Sequence, residues 1–152
     1  MSQMKSVLSR QSTIGDAAVD GLLGGLGGGF VMAIYLVAAG LAGGELPATV
    51  LSRFDPSAAA APLTGALMHL AVAGVYGMVF GIGFRWIRIR SRSVWLLGLA
   101  YGAALFMLAE AIILPGTRSS LLAVPVWSFG LAHVIYGVTL GGLVGRVGAN
   151  SK

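Results

Sequence analysis

The chain has 152 residues, of which 57% are hydrophobic and only 10% charged, with a formal net charge of +5. Soluble domains carry charge on about a quarter of their residues, so this composition excludes an ordinary water-soluble protein and points to the lipid bilayer as the main partner. The basic excess lies outside the apolar stretches, where it records topology and implies no nucleic-acid partner.

In chain order, residues 1–20 read as an N-terminal cytoplasmic tail that carries Lys5 and Arg10. Asp16 and Asp20 stand just before the first apolar run, and that run is longer than a signal-peptide core, which speaks against a cleaved leader. A helix needs about 20 apolar residues to cross a hydrocarbon core of about 30 Å. Four stretches meet this, at 21–43, 62–84, 94–114 and 125–145, and their only formally charged member is Glu110. They predict an all-α, polytopic four-helix bundle over 21–147, followed by a short tail, 148–152. Lys5, Arg10, Arg85, Arg88, Arg90, Arg92, Arg146 and Lys152 fall on one side of these spans, against Arg53 and Arg118 on the other. Positive-inside asymmetry then places both termini in the cytoplasm.

Between the first two spans, "LPATVLSRF" suits a short amphipathic helix lying on the outer surface with Arg53 and Asp55 facing water, and "FDPS" a turn. The next connection, "RWIRIRSRSVW", has the make-up of a lipid-interface anchor: Arg85, Arg88, Arg90 and Arg92 for anionic headgroups, Trp86 and Trp95 for the interface plane. "PG" at 115–116 ends the third span. Many of the 24 glycines lie inside the spans, and the pairs Gly25 and Gly29, Gly77 and Gly81, and Gly137 and Gly141 are each four apart. Small residues at that spacing let helix backbones approach, so these are packing seams. "LLGGLGGGFVM" against "LLGLAYGAALFM", and a shared His, Tyr-Gly and later Gly in spans two and four, suggest two repeated helical hairpins.

Three ionisable groups lie inside the spans. At about 1.5 Å per residue, His69 and His133 come roughly 10 to 12 Å, and Glu110 roughly 8 Å, from the same end of the bundle. Tyr76 and Tyr136 fall on the histidine-bearing faces of their helices. Buried ionisable groups face partners or a polar cavity, which leaves three readings open. His69 and His133 are candidate axial ligands of a haem b, with the tyrosines beside it. With Glu110 they could instead hold a divalent metal. Or Glu110 accepts a hydrogen bond from a histidine and the tyrosines complete a structural polar layer.

The histidine and Tyr-Gly-x-x-x-Gly of "HVIYGVTLG", the glycine-rich first span and the "ILPG" turn together resemble small four-span prokaryotic integral membrane proteins of uncharacterised function. The resemblance implies a place in a prokaryotic cytoplasmic membrane and supplies no activity. For function, small faces on several spans suggest an accessory or scaffold subunit that packs against other membrane subunits, or against copies of itself, in a larger membrane complex such as an energy-converting one. The alternative is a bis-histidine haem electron carrier, and third comes a metal-binding protein or small transporter. No cysteine and no nucleophile elbow is present, so no catalytic residue is assigned.

Overall fold

The structure, a computed structural model, describes residues 13–57, 59–87, 93–116 and 119–150. Arg88, Arg90, Arg92 and Arg118 lie outside the described residues. Five α-helices are present among those described: α1 (Ile14–Ala42), α2 (Pro47–Ser52), α3 (Pro62–Arg85), α4 (Val94–Leu108) and α5 (Val126–Asn150). The segments Ile14–Ala42, Pro62–Arg85, Val94–Ile113 and Val126–Val147 are long and apolar enough to cross a membrane. The chain is a small polytopic membrane protein. Leu23, Phe30, Leu67, Val79 and Ile112 point outward from these helices, as a lipid-facing surface requires. Trp86 and Trp95 are exposed at the end of the bundle where α1 begins and α5 ends, and Trp127 is exposed at the opposite, loop end.

α1 begins seven residues before the apolar run expected at 21, because Thr13 and Asp16 form a capping box. The Asp16 N–H donates to Thr13 Oγ1 (3.1 Å) and the Thr13 N–H to Asp16 Oδ2 (2.7 Å), which satisfies two free amides and brings Asp16 and Asp20 into the helix. At the other end the Glu45 N–H reaches back to the Gly40 carbonyl (2.9 Å) around Gly44, whose φ of +82° suits glycine alone among common residues. α4 loosens before it stops. Pro115 has no N–H to give to the carbonyl of Ala111, and the chain widens into a π turn over Ala109–Ile113, where the Leu114 N–H bonds the Ala109 carbonyl, then tightens into a 3-10 turn, Leu114–Gly116.

The four long helices pack as two hairpins, α1 with α3 and α4 with α5, and α1 joins them by lying against α5. Glycine sets both seams. A Cβ on Gly21 would stand 2.3 Å from the Gly77 carbonyl oxygen and 2.9 Å from Gly81 Cα; one on Gly98 would stand 2.1 Å from the Gly137 oxygen and 2.9 Å from Gly141 Cα. Likewise Gly25 lies on the Ala73 carbonyl and Gly102 on that of His133. The expected hairpin repeat is therefore present in space, with Gly21 and Gly98, Gly25 and Gly102, Gly77 and Gly137, and Gly81 and Gly141 in matching places. Carried along the helices, this register matches Tyr76 with Tyr136, but it pairs His69 with Phe129 and His133 with Ala73. The two histidines, alike in their sequence surroundings, are not equivalent in the fold.

A candidate ligand cavity between the hairpins

α3 and α4 complete the ring of helices without close backbone contact. Near mid-bundle they meet through long side chains: the Tyr101 hydroxyl donates to the Tyr76 carbonyl (2.8 Å), and its ring lies 5.2 Å from that of Phe80. The Tyr136 hydroxyl crosses from α5 to the Ala73 carbonyl (2.7 Å). Tyr136 forms a floor. Above it, toward the loop end, the helices enclose a cavity of about 910 Å³ lined by His69, Tyr76, His133 and Tyr136 together with apolar side chains such as Leu105 and Phe129. Met68, Val72 and Ile113 line it and are also exposed, so they edge a cleft between α3 and the π turn at a level where lipid would lie.

Loop 44–61 folds over the cavity mouth, and here the sequence expectation needs correction. α2 forms where "LPATVLSRF" predicts a helix, but Val50 is buried against Gly40, and Arg53 and Asp55 do not face water. The Arg53 guanidinium grips both Glu45 carboxylate oxygens (2.8 Å for Nη1 to Oε2). Asp55, only 6% exposed, accepts from the Ser57 N–H (2.8 Å) and the Ala61 N–H (2.7 Å), which makes the turn expected at "FDPS" and supplies the N-terminus of α3 with an acceptor. The Ser57 N–H, then the Ser57 side chain, then the Ala61 N–H hold its carboxyl below the ordinary 3.8. Ser120 of the other loop donates to the Arg53 carbonyl (3.1 Å) and ties the two loops together.

His69 and His133 line this one cavity. Gly29 of α1 lies beside Ala73 and Gly28 beside Tyr136. His69 is one turn beyond Ala73 and His133 nearly one turn beyond Tyr136, both toward the loop end, so the rings lie within about one helical turn of a common height. Their wiring differs. His69 Nε2 donates to the Gly29 carbonyl of α1 (2.9 Å), whereas His133 Nδ1 donates to the Phe129 carbonyl of its own helix (2.8 Å). Phe54 braces the first ring at 4.5 Å between centroids, and Phe129 the second at 4.5 Å. Among the described residues no fully buried side-chain nitrogen lacks a partner, so the second nitrogen of each of these cavity-lining imidazoles is not sealed off by protein.

This geometry bears on each expected site. Glu110, in the π turn, does not line the cavity, and among the described residues no three His, Asp or Glu side chains come together to hold a metal. The histidines and Tyr136 bond backbone carbonyls, where Glu110 was expected as the acceptor. For haem, His133 has the arrangement usual in a ligating histidine, Nδ1 bonded to a carbonyl and Nε2 free. His69 does not fit beside it, because its Nε2 is committed to α1 and only Nδ1, next to the Cβ, is left. Sequence reasoning missed Tyr101, which ties α4 to α3, and the pair Tyr35 and Ser128 (3.3 Å), which links α1 to α5. Their signal was a hydroxyl inside an apolar span, drowned by the more conspicuous imidazoles. No family model, curated protein or solved structure matches the chain, so the resemblance narrows to the four spans themselves.

Proposed function

We propose that this protein binds a small amphipathic molecule within the membrane, taking it from the lipid through the cleft between α3 and the π turn that follows α4. The observation that carries this reading is the cavity of about 910 Å³, apolar over most of its wall, with two braced imidazoles among the side chains that line it. That size falls within the range of small-molecule sites, which combine an apolar lining with a few placed polar groups. An apolar tail would lie along Leu105, Ile113 and Val72 toward the cleft, and a polar head would sit among His69, His133 and Tyr76. With the termini in the cytoplasm, as the Lys and Arg asymmetry favours, the cavity belongs to the leaflet away from the cytoplasm.

The accessory-subunit reading loses its main support, because the glycines that suggested surplus helix contacts are taken up inside the chain. Gly21, Gly25, Gly77, Gly81, Gly98, Gly102, Gly137 and Gly141 all face a neighbouring helix of the same molecule. Organic extraction of protein purified in mild detergent tests the binding reading. We expect a distinct amphiphile near one per chain, lost in Val72→Trp, which fills the cleft. Bulk phospholipid alone, in equal amounts from both proteins, would refute it.

A further inference from the structure

Resting on the reading of this cavity as a ligand site, we propose that the head of the bound amphiphile is an uncharged hydroxyl, alcoholic or phenolic, donating a hydrogen bond to an imidazole nitrogen. The argument is one of donors and acceptors. Each histidine has one ring N–H when neutral, and in both that N–H is given to a backbone carbonyl, Gly29 for His69 and Phe129 for His133. The nitrogen that each cavity-lining ring has left for a ligand therefore carries a lone pair, Nδ1 of His69 and Nε2 of His133.

A second proton on either ring would need an anion to offset the charge in so apolar a chamber. The carboxylate among the lining residues is Asp55, and its two oxygens already accept from Ser57 and Ala61. Glu110 lies outside the lining. The neighbours of the rings are Phe54, Phe106 and Phe129, which offer no charge. Arg53, the cation at the mouth, is held by Glu45. Around the histidines the cavity therefore meets a ligand with two acceptors and with the Tyr76 hydroxyl, which can donate or accept, while the Ser57, Ser119 and Ser120 hydroxyls at the mouth are engaged by Asp55, the Leu121 N–H and the Arg53 carbonyl.

A hydroxyl head satisfies this set, since it gives its proton to an imidazole and can accept from Tyr76. A ketone or quinone carbonyl could take a bond from Tyr76 but would leave both ring nitrogens bare. A carboxylate or phosphate would bring negative charge against two lone pairs. Both hydroquinones and isoprenoid alcohols have the required chemistry and are soluble in membranes.

The test uses the full chain in lipid nanodiscs and four probes of similar tail length: decyl-ubiquinol, its quinone decyl-ubiquinone, farnesol and laurate, each with wild type and Val72→Trp. We expect decyl-ubiquinol to bind at least about tenfold more tightly than the quinone, the scale of one hydrogen bond. Farnesol binding as well would assign the site to membrane alcohols in general, and its failure to bind would assign it to hydroquinones. His133→Gln, which keeps an acceptor, should retain more binding than His133→Phe. Equal binding of quinol and quinone, or strongest binding by laurate, with Val72→Trp abolishing it, would overturn the hydroxyl assignment and leave the cavity standing. If no probe responds to Val72→Trp, the cavity reading falls and this one with it.

Discussion

The two hairpins match glycine for glycine along their seams, yet they use their histidines in opposite ways. In the first, Gly29 leaves an opening through which His69 reaches the backbone of α1. In the second, the place matching Gly29 is held by Phe106, whose ring lies 6.0 Å from that of His133. His133 stands one turn deeper, in the place matching Ala73, and bonds back to the Phe129 carbonyl of its own helix. A bond between helices has been exchanged for a local one plus aromatic packing. The difference teaches that the seams set the scaffold, while the few unlike residues just beyond them shape the cavity.

The harshest way to break the likeness is to fill a seam. Gly21→Leu and Gly98→Leu both drive side chains into backbone, Cβ first at 2.3 and 2.1 Å. Each should cost more than about 3 kcal/mol, beyond the usual range for overpacking, seen as loss of a monodisperse folded species in detergent. Equal losses would support the matched register; a harmless Gly98→Leu would refute it. As a control, Gly142 has open space around it although it adjoins Gly141. Gly142→Ala should be neutral or stabilising by up to about 1 kcal/mol.

Smaller effects sharpen the contrast between the histidines. His69→Ala removes a bond between helices and should lower stability by about 1 kcal/mol, the usual net value of such a bond. His133→Ala removes only a bond within α5 and should cost less through hydrogen bonding, though it also gives up contact with Phe106 and Phe129. Tyr136→Phe, which deletes the bond to the Ala73 carbonyl, should again cost about 1 kcal/mol. Urea or thermal melts of the detergent-solubilised variants would rank them. A His69→Ala variant as stable as wild type would remove the claimed tie to α1.

Four spans were legible because a membrane helix announces itself by length and lack of charge, and glycine pairs four apart announce a seam. The start of α1 was missed because its capping box lies before the apolar run, and a capped turn need not be apolar. Glu110 was drawn into the site by depth alone. Depth follows from counting residues, but direction within a helix that widens into a π turn does not, and the turn before Pro115 changes the angle at which Glu110 leaves the axis. The fate of the imidazole protons was equally hidden, since the carbonyls that take them belong to backbone, which every sequence contains.

The gentlest contrast is between the two loops at the cavity end. The first is capped by a group that titrates: Asp55 accepts from Ser57 and Ala61 at the start of α3. The second is capped by one that does not, Ser119, whose hydroxyl accepts from the Leu121 N–H (3.2 Å). Because the folded state holds the Asp55 carboxyl below its ordinary 3.8, its stabilising contribution is complete above that value and is lost as pH falls through the lower, folded one. Hydrogen exchange should thus show the Ala61 amide losing protection on acidification to below 3.8, with the Leu121 amide following only the general trend. Asp55→Asn keeps an oxygen acceptor without the charge, so its Ala61 protection should be lower at neutral pH and flat across the same range. Were wild-type Ala61 flat as well, the carboxylate would not be what holds loop 44–61 over the cavity.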